Sequence, residues 1–176
     1  MNRNPMFTVL LVCTANVCRS PMAEVILRRL VTERGLQDII EVKSAGIYAM
    51  DGQKSSDLTV KVAAENGLDL EGHRSQSITP RMIHQSDLIL VMTPNHRNDL
   101  LQFFPKQTGK IYTLKEFERK KIPAKAAVDD PIGMPLNFYR QIFNEIQSEL
   151  KRIFPKIEKL AKKRVTNNSS GKMSET

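Results

Sequence analysis

Short apolar runs alternate along the chain with longer stretches in which apolar residues recur at helical spacing. A short continuous apolar run is typical of a buried strand, and helical spacing is typical of an amphipathic helix. Strands are predicted over residues 7–12, 39–44, 87–92 and 110–114. Helices are predicted over residues 21–34 and 56–66, from residue 80, and over 94–104 and 135–163. This alternation predicts a single α/β domain with a parallel sheet and helices on both faces.

Turn and cap residues mark where these helices begin. Ser20 is predicted as the N-cap of the first helix, because Pro21 follows it and is suited to a first helical position. Thr79 is predicted to cap the short third helix in the same way, before Pro80. The polar residues 164–176 are predicted to form a disordered tail after the domain.

A long irregular stretch, residues 116–134, separates the last strand from the last helix, and we call it the acid loop because it carries Asp129 and Asp130. A loop of this length inside a compact domain usually has a function. Either carboxyl group could move a proton, and the residues alone leave that choice open.

Composition excludes several classes of protein. The chain has 176 residues, of which 40% are hydrophobic and 26% charged, as in globular domains. Its apolar start, Met6–Val12, is predicted as a strand rather than a signal peptide, which favours a cytoplasmic protein without a membrane partner. Two cysteines and three widely spaced histidines exclude a disulfide scaffold, a four-cysteine zinc site and an iron–sulfur cluster. No metal site is expected.

The net charge of +8 favours anionic partners, which include phosphate groups, acidic proteins and nucleic acids. Residues 151–164 alone hold seven Lys or Arg against one acidic residue. A basic protein that binds nucleic acid or acidic partners without catalysis is therefore one alternative. It is less favoured, because the sequence has neither an RNP-like aromatic motif nor a glycine-rich nucleotide loop. No nucleic-acid partner is expected.

The most informative segment joins the first strand to the first helix. Cys13 ends the strand, five residues separate it from Arg19, and Ser20 and Pro21 follow. A loop in this position can turn its N–H groups towards an anion, and the same field favours the thiolate form of Cys13. Ser20 could donate a further hydrogen bond to the sulfur, while Arg19 offers a bidentate fork for phosphate-like oxygens. These residues predict covalent phosphoryl transfer.

The segment CTANVCRSPMAE, residues 13–24, resembles the phosphate-binding loop of the low-molecular-weight protein tyrosine phosphatases. The resemblance runs from Phe7 to about Lys163. It includes SAG at residues 44–46, GHRSQSIT at 72–79 and DDP at 129–131.

The resemblance implies a doubly wound fold around a four-stranded parallel sheet of order 2-1-3-4. It implies one phosphatase domain, residues 1–163, that acts on phosphorylated proteins as a monomer or weak dimer. It also implies a cysteinyl-phosphate intermediate, with no metal and no other cofactor.

Residue by residue, the resemblance makes Cys13 the nucleophile, Arg19 the phosphate clamp and Asp130 the general acid and then base. It thereby selects Asp130 over Asp129. The substrate-binding residues that it implies are Thr14, Ala15, Asn16, Val17, Cys18, Ser20, Tyr48 and Ile132. Support of the loop is assigned to Asn16, Ser20, Ser44 and His73. Cys18 would also form a reversible disulfide with Cys13.

The chain departs from the phosphotyrosine members at the substrate slot, where Ile132 and Gly133 stand in place of an aromatic pair. Position 50 is Met where animal members carry Trp, and Tyr48 would compensate in part. One wall of the slot is therefore expected to be aliphatic.

The second half also resembles the arginine phosphatase branch, through MTPNHRNDL at residues 92–100 and DPIG at 130–133. That branch carries Thr before the second loop cysteine, where this chain has the apolar Val17. The related thioredoxin-coupled arsenate reductases need a further cysteine pair, and no cysteine follows Cys18. Phosphotyrosine is the favoured substrate, with phosphoarginine as the alternative.

Overall fold

A computed structural model describes residues 6–171 of the chain. Four parallel strands form one sheet in the order β2-β1-β3-β4. The strands are β1 (Phe7–Cys13), β2 (Ile40–Gly46), β3 (Leu88–Val91) and β4 (Ile111–Thr113). The predicted strand order 2-1-3-4 is confirmed, and each predicted strand lies within two residues of the observed bounds.

Helices cover both faces of the sheet, as the alternating pattern predicts. They are α1 (Arg19–Glu33), α2 (Asp57–Glu65), α3 (Pro80–Gln85), α4 (Pro94–Phe103) and α5 (Leu136–Gly171). A 3₁₀ turn, Pro105–Lys110, precedes β4 and was not predicted. Within residues 6–171, no helix is long and apolar enough to cross a membrane.

Strand β1 lies at the centre of the sheet and contributes to two separate cores. Val9 and Leu11 belong to the core that β1 forms with α1 and α5, whereas Leu10 and Val12 belong to the core beneath α3 and α4. A strand that is buried on both faces carries apolar residues on both, which explains the apolar run from Val9 to Val12. The carboxyl end of β1 is thereby held in the middle of the molecule.

Helix α1 begins at Arg19, two residues before its predicted first position. Cys18 occupies the N-cap position without a side-chain cap, so the prediction that Ser20 is the N-cap is wrong. Ser20 lies inside the first turn, and its hydroxyl faces the sulfur of Cys13 instead. The predicted cap at Thr79 is confirmed, since its hydroxyl accepts a hydrogen bond from the backbone N–H of Met82.

Helix α5 continues to Gly171, eight residues beyond the predicted end of the domain. The prediction of a disordered tail over residues 164–176 therefore differs from the structure at 164–171, and residues 172–176 lie outside the described part. Arg164 pairs with Asp87 next to β3, and Ala161 is buried. These contacts extend the packed part of the helix past residue 163, and each further residue adds a helical hydrogen bond.

Candidate active site

The predicted phosphate-binding loop, residues 13–20, leaves the carboxyl end of β1 and enters α1. Gly46 lies opposite Cys13 in the register of β1 and β2. A Cβ atom at Gly46 would lie 2.7 Å from the carbonyl oxygen of Thr14 and 2.9 Å from the carbonyl carbon of Ala15. The loop can therefore fold over β2 only because this position carries no side chain.

The sulfur of Cys13 is buried and faces two hydrogen-bond donors. The backbone N–H of Asn16 donates to Sγ at 3.3 Å, and the hydroxyl oxygen of Ser20 lies 3.0 Å from Sγ. The first turn of α1 also begins beside this loop, with its unpaired N–H groups. All three features are suited to contact a sulfur nucleophile and the anion that it would attack.

Asn16 holds the loop in an unusual backbone conformation. Its φ of 57° lies in the left-handed region, which Asn tolerates better than most residues. The buried amide nitrogen donates to Ser20 Oγ at 2.9 Å and to Ser44 Oγ at 2.8 Å. Its amide oxygen accepts the backbone N–H of Gln76 at 3.0 Å. Three segments of the chain thus fix one side chain.

His73 supports the loop from outside through the main chain, since its Nε2 lies 2.8 Å from the carbonyl oxygen of Asn16. The hydroxyl of Ser44 donates a hydrogen bond to the carboxylate of Glu24, and Glu24 forms an ion pair with Arg28. The structure therefore brings the predicted supporting residues together. Glu24 was missed in this role, although it stands in the quoted loop motif.

Arg19 connects the loop to the acid loop. Its guanidinium is 4% exposed, and Nη2 donates to Asp130 Oδ2 at 2.6 Å while Nη1 donates to the carbonyl of Val128 at 3.0 Å. Within residues 6–171, its Nε is buried and finds no hydrogen-bond partner. One N–H of the predicted clamp is therefore available to an oxyanion.

The two neighbouring carboxylates of the acid loop point to different partners. Asp130 contacts Arg19 and is 43% exposed at its side chain, whereas Asp129 pairs with Lys125 at 2.5 Å. Only Asp130 borders the pocket above the sulfur. The geometry supports the choice of Asp130 that the family motif makes.

A pocket of about 190 Å³ opens above Cys13, and its exposed surface is mostly apolar. It is lined by Cys13, Thr14, Ala15, Val17, Cys18, Arg19, Asp130 and Ile132. Three predicted substrate-binding residues are not in this lining. Asn16 and Ser20 are buried beneath the loop, and Tyr48 is 66% exposed with its hydroxyl 3.4 Å from Asp99 Oδ2.

Cys18 lines the pocket and, like Cys13, forms no disulfide. Burial raises the pKa of the Cys18 thiol, although hydrogen bonds from Ser56 and Thr59 oppose this effect. Its sulfur lies 3.3 Å from Ser56 Oγ at the start of α2. Burial therefore favours the protonated form of Cys18.

His96 contacts the loop and was missed by the sequence analysis. Its Nε2 lies 2.9 Å from Thr14 Oγ, and Arg19 Nη2 donates to the same oxygen at 3.2 Å. Burial, followed by the charge of Arg19, lowers the pKa of His96 to about 4. The only sequence signal was the position of His96 within MTPNHRNDL.

In the part of the chain that the structure describes, no cluster of His, Cys, Asp or Glu is suited to a metal ion.

The family model described as low molecular weight phosphotyrosine protein phosphatase matches residues 8–166. A probable low molecular weight protein-tyrosine-phosphatase, EpsP of Ralstonia solanacearum, is 33% identical over 87% of this chain and 97% of its own. A protein-arginine-phosphatase of Geobacillus stearothermophilus is 32% identical over 86% of this chain and 97% of its own.

Solved structures show the same fold. The low molecular weight protein tyrosine phosphatase of T. tengcongensis superimposes with a TM-score of 0.77 at 36% identity, over 85% of this chain and 98% of its own. The YwlE arginine phosphatase of Geobacillus stearothermophilus superimposes with a TM-score of 0.76 at 32% identity, over 91% of this chain and 96% of its own. The chain is thus similar to enzymes of both substrate types.

Proposed function

Because the chain belongs to the low molecular weight phosphotyrosine protein phosphatase family, whose members are cysteine-dependent phosphoric monoester hydrolases, we propose that it hydrolyses phosphotyrosine in proteins through a cysteinyl-phosphate intermediate. One observation carries the proposal. Arg19 lies between the loop that holds Cys13 and the carboxylate of Asp130, so clamp, nucleophile and acid meet at one pocket. The proposed substrates are phosphoproteins of the cytoplasm, where thiols stay reduced.

In the first step, the thiolate of Cys13 attacks phosphorus and forms the S–P bond. The P–O bond to the tyrosine oxygen breaks, and its electron pair goes to that oxygen. The carboxyl group of Asp130 supplies the proton that the leaving oxygen needs. Negative charge on the other phosphate oxygens is stabilised by the loop N–H groups and the guanidinium of Arg19.

In the second step, water attacks the phosphorus of the intermediate. Asp130, now a carboxylate, accepts a proton from this water as the new P–O bond forms. The S–P bond breaks and returns its electron pair to Cys13, which regains the thiolate form that Ser20 and the Asn16 N–H stabilise. Inorganic phosphate then leaves.

The preference for phosphotyrosine follows from the walls of the pocket. Val17 and Ile132 present aliphatic surface and no hydrogen-bond acceptor on their side chains. A phenyl ring gains free energy by burying apolar area there, whereas these two side chains offer a guanidinium no acceptor to replace the water that it would lose. Ile132 is exposed and lacks the stacking surface of an aromatic residue, so we expect binding of the ring to be weak.

Arginine phosphatase activity is the second candidate, and the similarity to the protein-arginine-phosphatase of Geobacillus stearothermophilus favours it. The same nucleophile and clamp would cleave a P–N bond in place of a P–O bond. Asp130 would then protonate the leaving guanidine nitrogen. The carboxylate at the pocket mouth is the group that could attract the cationic guanidinium of such a substrate.

The decisive comparison uses two peptides of one sequence that carry either phosphotyrosine or phosphoarginine at a single position. We expect wild type to release inorganic phosphate from the phosphotyrosine peptide with the higher kcat/KM, and we expect Cys13→Ser to release none from either. Faster hydrolysis of phosphoarginine would move the assignment to the second candidate. Hydrolysis of neither peptide would contradict the proposed function.

A further inference from the structure

His96 lies behind the phosphate-binding loop, outside the lining of the pocket, yet it contacts Thr14 at the start of that loop. We propose that His96 is a positioning residue, which acts through the hydroxyl of Thr14 to hold the guanidinium of Arg19 in place. The inference rests on the proposed function, because it assigns Arg19 the role of phosphate clamp.

The direction of the Arg19–Thr14 hydrogen bond follows from chemistry, and the proposal assigns the direction of the Thr14–His96 hydrogen bond. A guanidinium can only donate, so Thr14 Oγ accepts from Arg19 Nη2 at 3.2 Å. The hydroxyl proton of Thr14 is then free to point at His96 Nε2, which lies 2.9 Å from Thr14 Oγ. This arrangement requires an unprotonated Nε2, with the ring proton on Nδ1. The proposal therefore requires a neutral imidazole.

Three features keep the imidazole neutral. His96 is 6% exposed and lies in the first turn of α4, where its backbone N–H is capped by Thr93 Oγ. A positive charge is unfavourable both in a buried site and at a helix N-terminus. Arg19, on α1, adds a further positive charge nearby.

Two acidic groups oppose these effects. Asp99, on α4, and Asp130, on the acid loop, favour the protonated ring, but the pKa of His96 is still lowered to about 4. At neutral pH the imidazole therefore stays uncharged, and its Nε2 can accept a hydrogen bond from the hydroxyl of Thr14.

The role of this chain of hydrogen bonds becomes clear from what Asp130 must do. In the structure Nη2 is shared between Asp130 and Thr14. In the proposed first step, Asp130 begins as a protonated carboxyl group and gives its proton to the leaving oxygen. While it is protonated, Asp130 carries no negative charge, so it is a weaker acceptor for Arg19 than a carboxylate. Thr14 and the carbonyl of Val128 then remain as the acceptors that hold Arg19.

The test is a double-mutant cycle on full-length protein, with p-nitrophenyl phosphate as substrate. His96→Leu and Thr14→Val should each lower kcat/KM about tenfold, because each removes one end of the same hydrogen bond. The double variant should lose no more than Thr14→Val alone. His96→Gln should recover most of the activity, because its amide oxygen reaches the position of Nε2 and can accept the Thr14 proton. The exposed His84→Leu serves as the matched control and should stay at the wild-type rate.

Additive losses in the double variant, or an unchanged rate in His96→Leu, would overturn the inference. Equal melting temperatures of His96→Gln and His96→Leu together with unequal kcat/KM would exclude a merely structural role. Wild type without activity on any phosphate ester would contradict the proposed function instead.

The ¹⁵N chemical shifts of His96 report the hydrogen bond without reference to activity. We expect a neutral ring at pH 7 with an unprotonated Nε2 whose shift changes in Thr14→Val. A charged ring, or a proton on Nε2, would overturn the inference.

Discussion

The guanidinium of Arg19 donates a hydrogen bond of 2.6 Å to Asp130, across 111 residues of sequence. This contact docks the acid loop on the phosphate-binding loop. It also separates Asp130 from its neighbour Asp129, which pairs with Lys125. The position of the proposed acid therefore depends on the proposed clamp, and substitution of either residue should affect both functions.

Substitution of Asp130 tests the proposed proton transfer. Asp130→Asn should lower kcat by about 10²–10⁴-fold on phenyl phosphate, because phenolate leaves poorly without a proton. The loss should be much smaller on p-nitrophenyl phosphate, whose leaving group needs little protonation. The measurement is kcat on both esters.

Asp129→Asn is the matched control for this prediction, because it makes the same chemical change one residue away. It should retain activity on both esters, since its carboxylate faces Lys125. Equal losses on the two esters in Asp130→Asn, or a larger loss in Asp129→Asn, would contradict the assignment.

Substitution of Gly46 tests how tightly the phosphate-binding loop packs on β2. Gly46→Ala would place a Cβ 2.7 Å from the carbonyl oxygen of Thr14 and should displace the loop. We expect kcat/KM to fall at least about tenfold and stability to fall by about 1–3 kcal/mol, as for other overpacked sites. Urea unfolding and steady-state kinetics measure the two effects.

Gly72→Ala is the control, because a Cβ atom there meets open space. It should leave both the rate and the unfolding midpoint near wild type. Full activity in Gly46→Ala would show that the loop tolerates the extra methyl group.

Two substitutions in the pocket wall test the substrate preference. Ile132→Tyr should raise kcat/KM on aryl phosphates about tenfold or less, through an aromatic contact of ~0.5–1.5 kcal/mol.

Val17→Thr should shift the ratio of phosphotyrosine to phosphoarginine hydrolysis towards phosphoarginine, because it adds a hydroxyl that can accept a hydrogen bond from a guanidinium. An unchanged ratio in Val17→Thr would show that Val17 does not determine the substrate preference.

We expect Cys13 and Cys18 to make oxidation of the protein by peroxide reversible. Peroxide should oxidise the thiolate of Cys13 first, and the thiol of Cys18 should capture the sulfenic acid as a disulfide. Wild type should therefore regain activity when a thiol reductant follows mild peroxide, and Cys18→Ser should regain much less. Equal recovery of the two proteins would mean that Cys18 only packs beneath the pocket.

The strands and the position of the phosphate-binding loop could be predicted because local sequence patterns encode both, whereas the order of the strands came from the resemblance to the family. An apolar run, a cysteine, five loop residues and Arg19 with Pro21 at a helix start occur in one short segment. The choice between Asp129 and Asp130 needed the family motif, since the residues alone offered two equivalent carboxylates.

The errors all concern contacts that sequence spacing does not encode. His96 touches Thr14 from 82 residues away, and nothing in its own segment shows that contact. Ser20 was predicted as a cap because the pattern of capping is local, whereas its hydroxyl serves Cys13. Helix α5 extends past residue 163, where Arg164 forms an ion pair with Asp87 on a distant segment.

The central claim is that Cys13 carries the phosphoryl group between the two steps. Rapid quenching of wild type during turnover of a phosphotyrosine peptide, followed by mass spectrometry, tests it most directly. We expect one phosphoryl group on the peptide that contains Cys13, formed before steady-state phosphate release, and none in Cys13→Ser. Turnover with no phosphoryl group on Cys13, or undiminished turnover by Cys13→Ser, would contradict the account.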